Sequence, residues 1–406
     1  MSATRPLRFG YHDYASFLIF IAYSAGSVIV PVSLVNLAQD LGFGLRSGGM
    51  AAGGALHLVR TVPLVATMLV CGFMAGRWGN RLPLGIAVLL MASGVGLCAF
   101  APAYGVVVVA LALSGAGEGV VEGLSTPFVQ RLHPEEPGRY INFSHAFWSV
   151  GVLATVLVSG ALLAAGVSWR LLVAGVALLG LLPAAMLLAP GRAARSYPEA
   201  PEPLQPRVVW ASALAILRRR RFWLFYGAMF MAGGGEFCLT FWSASHIQLH
   251  FSASAWAGGL GTAFFAGGMV LGRTGWGYLV KQNQLRALIL GSAAGGAVVT
   301  AVFPAAGSLP VFFALLFLAG IATAPFWPSL QSHGVDRLPG ADATLVYILL
   351  ACAGIPGCGF FTWLMGVLAG KQGNLGPAFL LVPACYVALG LLLLCDRHDG
   401  VRGCGG

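Results

Sequence analysis

The sequence contains few charged residues, and its acidic residues are fewer than its basic ones. Asp and Glu together number 13 and Lys and Arg 23 among 406 residues, so that charged side chains make up 9% of the chain. Soluble globular proteins carry about 25% charged residues. With 58% hydrophobic residues and a mean hydropathy of +0.83, this composition excludes an ordinary soluble domain and is typical of a protein that crosses a membrane many times.

Several motifs that would indicate other classes of protein are also missing. The eight cysteines include no Cys-x-x-Cys pair, and no group of His, Cys, Asp and Glu has metal-site spacing, so neither a disulfide framework nor a metal site is expected. No G-x-x-x-x-G-K-[ST] loop indicates ATP-driven pumping by this chain. No nucleophile–base set indicates a membrane-embedded enzyme. We therefore expect a protein that is not an enzyme and has no cofactor.

The chain does contain a nearly continuous series of apolar stretches. Each is long enough to cross a hydrocarbon core of about 30 Å, which takes about 20 residues. Breaks at charged residues, Pro and Gly predict an all-α integral membrane protein with twelve transmembrane helices. These helices run approximately over residues 14–39, 48–75, 82–101, 104–131, 140–165, 168–190, 221–248, 253–280, 285–306, 310–333, 341–369 and 374–395. Residues 2–12 lack the apolar centre of a cleaved signal peptide, so we expect helix 1 to remain as an anchor.

The basic residues fall mainly in alternate gaps between the predicted helices. With a cytoplasmic N-terminus, 19 of the 23 Lys and Arg lie in cytoplasmic segments or helix ends, whereas Arg46, Arg170 and Lys371 lie opposite and Arg60 lies within a helix. The positive-inside rule therefore predicts a multi-pass protein of a bacterial-type inner (plasma) membrane with both termini cytoplasmic. The expected partners are the lipid bilayer, a small-molecule substrate and protons. We expect a monomer that does not bind nucleic acid. The alternative is that the arginine run 218–221 forms a nucleic-acid-binding patch.

A Pro- and Arg-rich segment divides the helices into two sets of six, and the two sets resemble each other in sequence. Thr126-Pro127-Phe128 and Ala324-Pro325-Phe326 are offset by about the same number of residues as Gly72 and Gly272. Two pseudo-symmetric six-helix bundles suit alternating access, because one bundle can rock against the other. The predicted organisation is a cytoplasmic tail over 1–13, a bundle over 14–190, a cytoplasmic linker over 191–220, a second bundle over 221–395 and a cytoplasmic tail over 396–406.

The loop between predicted helices 2 and 3 reads Gly72-Phe-Met-Ala-Gly-Arg-Trp-Gly-Asn-Arg81. It resembles the signature loop of the major facilitator superfamily, G-x-x-x-D-R-x-G-R-R. The resemblance implies a secondary transporter whose gating loop includes Gly72, Arg77, Gly79 and Arg81. Gly76 stands where the family has an Asp that helps to hold the inner gate through charged contacts. A weaker cytoplasmic gate is therefore expected.

Two further segments resemble the helix 4 to helix 5 region of fucose-permease-like transporters. They read Glu122-Gly-Leu-Ser-Thr-Pro-Phe-Val129 and Asn142-Phe-Ser-His-Ala-Phe-Trp-Ser-Val-Gly151. Glu122 matches the acidic residue that those proteins carry on helix 4, whereas Ser27 replaces their acidic residue on helix 1. The resemblance implies uptake of a sugar-like solute. Export of a drug, siderophore or other metabolite is the alternative, and a non-transporting receptor on a transporter scaffold is a further one.

Four charged residues lie near mid-depth of the predicted helices: Arg60, Glu118, Glu122 and Glu236. A charge at the bilayer centre costs about 2.5–3.5 kcal/mol even on a lenient scale, so retained charges tend to be functional. Glu118 and Glu122 share one helix face about 6 Å apart, and one of them should hold a proton near neutral pH. This predicts proton coupling by Glu122 and Glu118, with Arg60 balancing the charge. The alternative is a static pair between Arg60 and Glu118.

Other polar and aromatic residues complete the predicted substrate cavity. Glu236 follows three glycines, which indicate either a flexible segment that contacts ligand or close helix packing with Glu236 bonded to a neighbour. For His57 and His145, packing between helices is as plausible a role as binding of a solute. The aromatic rings of the tryptophans on helices 5, 7 and 10 can stack on a sugar or an apolar solute. The predicted cavity residues are Arg60, His57, His145, Trp148, Glu236, Trp242 and Trp327.

Overall fold

A computed structural model describes residues 7–135, 137–199 and 205–396 of the chain. Within these residues, twelve helical segments are long and apolar enough to cross a membrane, and no strand is present. The prediction of twelve transmembrane helices is confirmed. The outer parts of both predicted tails (1–6 and 397–406) and residues 200–204 of the predicted linker lie outside the described residues.

The spans, numbered 1 to 12 in chain order, follow the predicted helices within a few residues at almost every end. Spans 10 and 12 each consist of two helical pieces. The helices are Tyr11–Asp40, Met50–Trp78, Arg81–Ala99, Tyr104–Leu132, Pro137–Ala164, Trp169–Leu188, Arg220–His250, Ala255–Leu279, Leu285–Ala301, Leu309–Thr323 with Phe326–Asp336, Ala343–Gln372, and Leu375–Ala378 with Leu381–Cys395.

The repeated Pro motif has different local structures in the two halves. Span 4 continues as a helix through Pro127, whereas span 10 breaks between Thr323 and Phe326. Proline removes one backbone N–H donor from a helix. Span 10 contains Pro328 as well as Pro325, so two donors are missing within one turn. The sequence repeat therefore does not extend to the geometry of the helix.

The two sets of six spans approach each other closely near one end of the molecule. We call this the far end, and we call the opposite end, which carries the 72–81 loop and residues 189–199, the linker end. On spans 2 and 11, a Cβ at Gly54 would lie 2.7 Å from the carbonyl oxygen of Thr362. On spans 5 and 8, a Cβ at Gly160 would lie 3.2 Å from the Cα of Gly259. Small residues thus let the backbones meet at the far end.

The predicted linker contains structure that the sequence analysis missed. A twelve-residue helix runs over Pro206–Leu217. Before it, the Tyr197 hydroxyl donates a hydrogen bond to the carbonyl oxygen of Phe128 (3.1 Å), and the two rings stack with centroids 4.3 Å apart. Burial raises the pKa of the Tyr197 phenol, so it stays a neutral donor at physiological pH. The first part of the linker is therefore packed against span 4.

Candidate functional site

A buried ion pair joins spans 2 and 4. The Arg60 Nε lies 2.6 Å from Glu118 Oε2, and the side chains are 5% and 0% exposed. Arg60 also donates to the Ser27 hydroxyl of span 1 (2.8 Å), while the Ser114 hydroxyl donates to the other Glu118 oxygen (2.7 Å). Both carboxylate oxygens of Glu118 are thus occupied. This geometry agrees with the static-pair alternative for Arg60 and Glu118.

Glu122 has different surroundings, although it lies only one helical turn from Glu118. Its side chain is partly exposed, and the Tyr23 hydroxyl of span 1 lies near its carboxylate. In the described part of the chain, no basic side chain forms an ion pair with it. Tyr23 was not among the predicted site residues, because a lone Tyr in an apolar helix carries no signal that distinguishes it from an interfacial aromatic residue.

His145 lies on span 5 beside this carboxylate region. Its Nε2 is 3.1 Å from the Thr126 hydroxyl of span 4, and its ring centroid is 4.5 Å from that of Phe20 on span 1. The ring is exposed, and Trp148, one turn further along the helix, is half-buried. Spans 1, 4 and 5 therefore present a polar surface in the N-terminal half, with hydrogen-bonding groups and an aromatic ring.

A second ion pair lies in the C-terminal half, between Glu236 of span 7 and Arg273 of span 8. The Arg273 Nη2 is 3.7 Å from Glu236 Oε1, which is longer than a hydrogen bond. The Arg273 Nε is buried and has no hydrogen-bond partner among the described residues. From the sequence, Arg273 was assigned as a basic residue at a helix end. That assignment was incomplete, because the long side chain reaches a mid-depth carboxylate.

The three glycines before Glu236 serve close packing. Span 7 is a continuous helix from Arg220 to His250. A Cβ at Gly233, Gly234 or Gly235 would collide with the Gly354 carbonyl oxygen, the Phe361 ring or the Tyr386 ring, respectively. Of the two interpretations, the structure agrees with packing of the glycines, and the Glu236 carboxylate is paired with Arg273 at ion-pair distance.

Two other predicted cavity residues, His57 and Trp242, lie between Arg60 and the far end. His57 is 7% exposed, and its ring stacks on Phe237 of span 7 with centroids 4.6 Å apart. Trp242 is fully buried and donates its indole N–H to the Thr362 carbonyl oxygen (3.0 Å). In this conformation both side chains help to close the far end instead of lining an open cavity. Trp327 is half-buried, with its ring against Gly354.

The predicted gating loop receives a carboxylate from elsewhere in the chain. Glu199 accepts hydrogen bonds from the backbone N–H groups of Asn80 (2.9 Å) and Arg81 (3.0 Å). Its Oε1 lies 3.8 Å from Arg81 Nε. Gly79 has φ +75°, and a Cβ there would collide with this carboxylate. The expectation of a weaker gate rests on the missing acid at Gly76 and did not include this carboxylate, so it stays a prediction.

The other residues of the predicted gating loop lie at the end of span 2 and the start of span 3. Gly72 lies within the helix Met50–Trp78, and Arg77 lies in its last turn, where a basic side chain is favoured by the helix dipole. Arg77 is exposed, with its guanidinium 5.7 Å from the Trp78 ring centroid. The Arg81 guanidinium donates to the Leu187 carbonyl oxygen, which ties the start of span 3 to the end of span 6.

Comparison with known proteins agrees with this architecture. The Major Facilitator Superfamily profile matches residues 15–354. The fold is similar to that of the nucleoside transporter NupG (TM-score 0.74, 12% identity, 95% of this chain and 98% of that chain). It is also similar to a D-xylose-proton symporter (0.73, 16%, 94% and 96%) and to the E. coli fucose:proton symporter FucP (0.65, 16%, 95% and 98%).

At these identities the solved structures show the fold alone. No curated protein matches the chain in sequence. The superfamily profile, by contrast, covers most of the chain, and the twelve apolar helices agree with it. The chain therefore belongs to the major facilitator superfamily, and it is a multi-pass membrane transporter and not an enzyme.

Proposed function

We propose that the protein is a secondary active transporter that moves a small neutral organic solute together with protons by alternating access. The observation that carries this proposal is the contrast between two carboxylates one turn apart. Glu118 has each carboxylate oxygen bonded, to Arg60 and to Ser114, whereas Glu122 is partly exposed, lies near the Tyr23 hydroxyl and forms no ion pair within the described residues. Glu122 is therefore the proton-carrying residue, and Glu118 belongs to the framework that positions it.

The charge balance of the site supports coupling to a proton. Arg60 with Glu118 and Arg273 with Glu236 form two neutral pairs. An ionised Glu122 would add one uncompensated negative charge. Such a charge is costly in a poorly solvated environment. Reorientation of the two bundles is then favoured when Glu122 carries a proton and the solute is neutral.

The chemistry of the surrounding side chains favours a sugar-like solute. Thr126 and His145 supply hydrogen-bonding groups, and Trp148 and Trp327 supply half-buried rings on which an apolar sugar face can stack. The resemblance to fucose-permease-like transporters supports the same class. Solved structures of similar fold include proteins named as D-xylose, fucose and nucleoside transporters.

Alternating access would use the two predicted bundles, 14–190 and 221–395. Close backbone contacts between them lie at the far end, and side chains of spans 2 and 11, including Met68 and Cys352, pack together nearer the linker end. With the linker and both termini in the cytoplasm of a bacterial-type inner membrane, the contacts between spans 2 and 11 on the linker side would have to open to admit solute from the cytoplasm. The transporter works as a monomer in this proposal.

The test is a comparison of Glu122→Gln with the wild type in proteoliposomes. Radiolabelled D-xylose, L-fucose and uridine serve as probes. Glutamine keeps the size of the side chain but cannot carry a proton, so uptake driven by a pH gradient should be abolished while solute exchange remains. Glu135→Gln, an exposed position, is the matched control and should behave as wild type. Gradient-driven accumulation by Glu122→Gln would contradict the assignment.

The direction of transport and the natural solute require an experiment in cells. Metabolites are profiled inside and outside cells with and without the protein. Loss of a compound from the interior of deficient cells would support uptake. Retention of a compound inside deficient cells would instead support export of a drug, siderophore or other metabolite.

A further inference from the structure

The helix Pro206–Leu217 has apolar residues on more than one side. One face packs through the buried Ala213 and Ile216. Trp210 and Leu214 lie one turn apart on an adjoining face and are 70% and 47% exposed, whereas Val208, on the other side of the helix, is 58% exposed. An apolar helix face that carries an exposed Trp and Leu is not expected to remain in water. The exposed face therefore needs an apolar partner.

The dimensions of this helix exclude a membrane span. Twelve residues extend over about 18 Å, well short of the hydrocarbon core of about 30 Å. The helix is followed directly by span 7, which begins at Arg220. The Trp223 indole N–H donates to the Leu217 carbonyl oxygen (2.8 Å), so the helix end is tied to the first turn of that span. These contacts place the helix at the level where a span leaves the bilayer.

Four consecutive arginines separate this helix from span 7. Arg219 donates to the Pro339 carbonyl oxygen (2.8 Å), and Arg221 lies 3.4 Å from the Asp396 carboxylate. Arg218 and Arg220 are exposed, and within the described ranges neither has an acidic partner. The contacts of Arg219 and Arg221 fix the backbone of this segment. The guanidinium groups of Arg218 and Arg220 are therefore held at the end of the exposed apolar face.

The surroundings add to this positive charge. Asp396 is 2% exposed and is shared by Arg337 (2.8 Å) and Arg221. Arg286 donates to the backbone carbonyl oxygen of the same residue (3.4 Å). Several guanidinium groups therefore surround one carboxylate at this end of spans 7, 9, 10 and 12. The excess positive charge is complementary to an anionic surface.

We propose that the helix 206–217 and the exposed Arg218 and Arg220 form a docking surface for anionic phospholipids at the linker end. Trp210 and Leu214 enter the boundary between headgroups and acyl chains, and the two guanidinium groups contact headgroup phosphates. Apolar burial combined with electrostatic attraction is the usual basis of interfacial helix binding, and Trp is enriched at membrane interfaces. The linker is then held to the N-terminal half through Tyr197 and Glu199 and to the membrane through this helix.

The first experiment measures thermal unfolding of the full-length protein in nanodiscs. One set contains phosphatidylcholine alone, and the other contains phosphatidylcholine and phosphatidylglycerol in a three-to-one ratio. The anionic lipid should raise the unfolding midpoint of the wild type. The double variant R218Q/R220Q should lose most of this increase while keeping the wild-type midpoint in phosphatidylcholine. The double variant R192Q/R195Q removes the same charge from exposed positions on the other side of the linker, and it should keep the increase.

The second experiment measures the depth of the helix. A spin label at Leu214→Cys, in a background with Cys395 and Cys404 replaced by Ser, should be more accessible to oxygen than to a water-soluble nickel reagent. The same label at Ser196→Cys, an exposed linker position, should show the opposite preference. Water accessibility of the Leu214 label would overturn the proposal.

Three further outcomes would also overturn it. An equal lipid-dependent increase in wild type and R218Q/R220Q would show that these arginines do not bind the lipid. An increase produced by inorganic phosphate in phosphatidylcholine nanodiscs would indicate a site for a free anion. Shielding of the Leu214 label from both reagents, together with a dimer in native mass spectrometry, would assign the surface to a second copy of the chain.

Discussion

At the scale of single residues, Arg60 forms a buried ion pair whose effect on stability can be measured separately from transport. Its guanidinium neutralises Glu118, which is fully buried. It also donates a hydrogen bond to Ser27 on a third helix, span 1. By the resemblance to fucose-permease-like proteins, Ser27 stands where they have an acidic residue. A hydroxyl there adds no second negative charge, so a single carboxylate suffices to balance the arginine.

We predict that Arg60→Ala lowers the free energy of unfolding by about 3–5 kcal/mol, because it leaves a buried carboxylate unpaired. Unfolding in detergent, followed by circular dichroism, measures the change. The double variant Arg60→Met with Glu118→Leu should recover much of this loss, since both charges are then removed. A single variant as stable as the wild type would show that the pair contributes little.

Glu199 is a second residue whose role can be measured locally. It accepts the N–H groups of Asn80 and Arg81 at the start of span 3, where the helix dipole favours a negative charge. We predict that Glu199→Ala speeds hydrogen exchange at these two amides about tenfold, as expected for loss of about 1.4 kcal/mol per charged hydrogen bond. Glu199→Gln should have a smaller effect because an amide oxygen still accepts. Unchanged exchange in Glu199→Ala would contradict this role.

At the scale of helices, close backbone approach decides which glycines tolerate a side chain. Gly234 faces the Phe361 ring of span 11, whereas a Cβ at Gly267 of span 8 would have no neighbouring atom within 4 Å. We predict that Gly234→Ala destabilises the protein by about 1–3 kcal/mol through overpacking, and that Gly267→Ala has no such cost. Thermal unfolding of the two variants in the same detergent checks the difference. Equal stability would mean that spans 7 and 11 can separate without loss.

Hydropathy predicted the membrane spans well, and it failed where charge and proline alternate with short apolar runs. The helix 206–217 was overlooked because its flanking prolines and arginines made the whole segment look like a linker. The break in span 10 was missed for a different reason. A proline inside an apolar run is compatible with either a continuous or an interrupted helix, as span 4 and span 10 demonstrate. Neighbouring helices decide between the two, since they supply or withhold partners for the freed backbone groups.

At the scale of the whole molecule, the distribution of basic residues predicts that both termini and the linker are cytoplasmic. Reporter fusions after Pro206 and after Lys371 provide the test. The first should report a cytoplasmic position and the second the opposite side, because positively charged segments resist translocation. A linker reporter outside the cytoplasm would invalidate the orientation.

The constraints imposed by a bilayer act along the chain, and they can therefore be recognised from the amino-acid sequence. Span length, the number of spans and the signature loop at residues 72–81 belong to this category, as does the presence of charged residues at mid-depth. Each depends on residues that are close in sequence, because a span must be long, apolar and internally hydrogen-bonded wherever it lies.

The partners of the charged residues depend on how the helices are rotated and how closely they approach. Arg60 meets Glu118 across 58 positions, and Asn80 meets Glu199 across 119. The sequence places Glu118 and Glu122 on the same face of span 4, yet only Glu118 forms an ion pair with Arg60. Likewise, the length of Arg273 alone did not indicate that it reaches Glu236. Such pairings arise only when close contacts such as that of Gly54 with Thr362 set the relative positions of the spans, so the tertiary structure was needed to assign them.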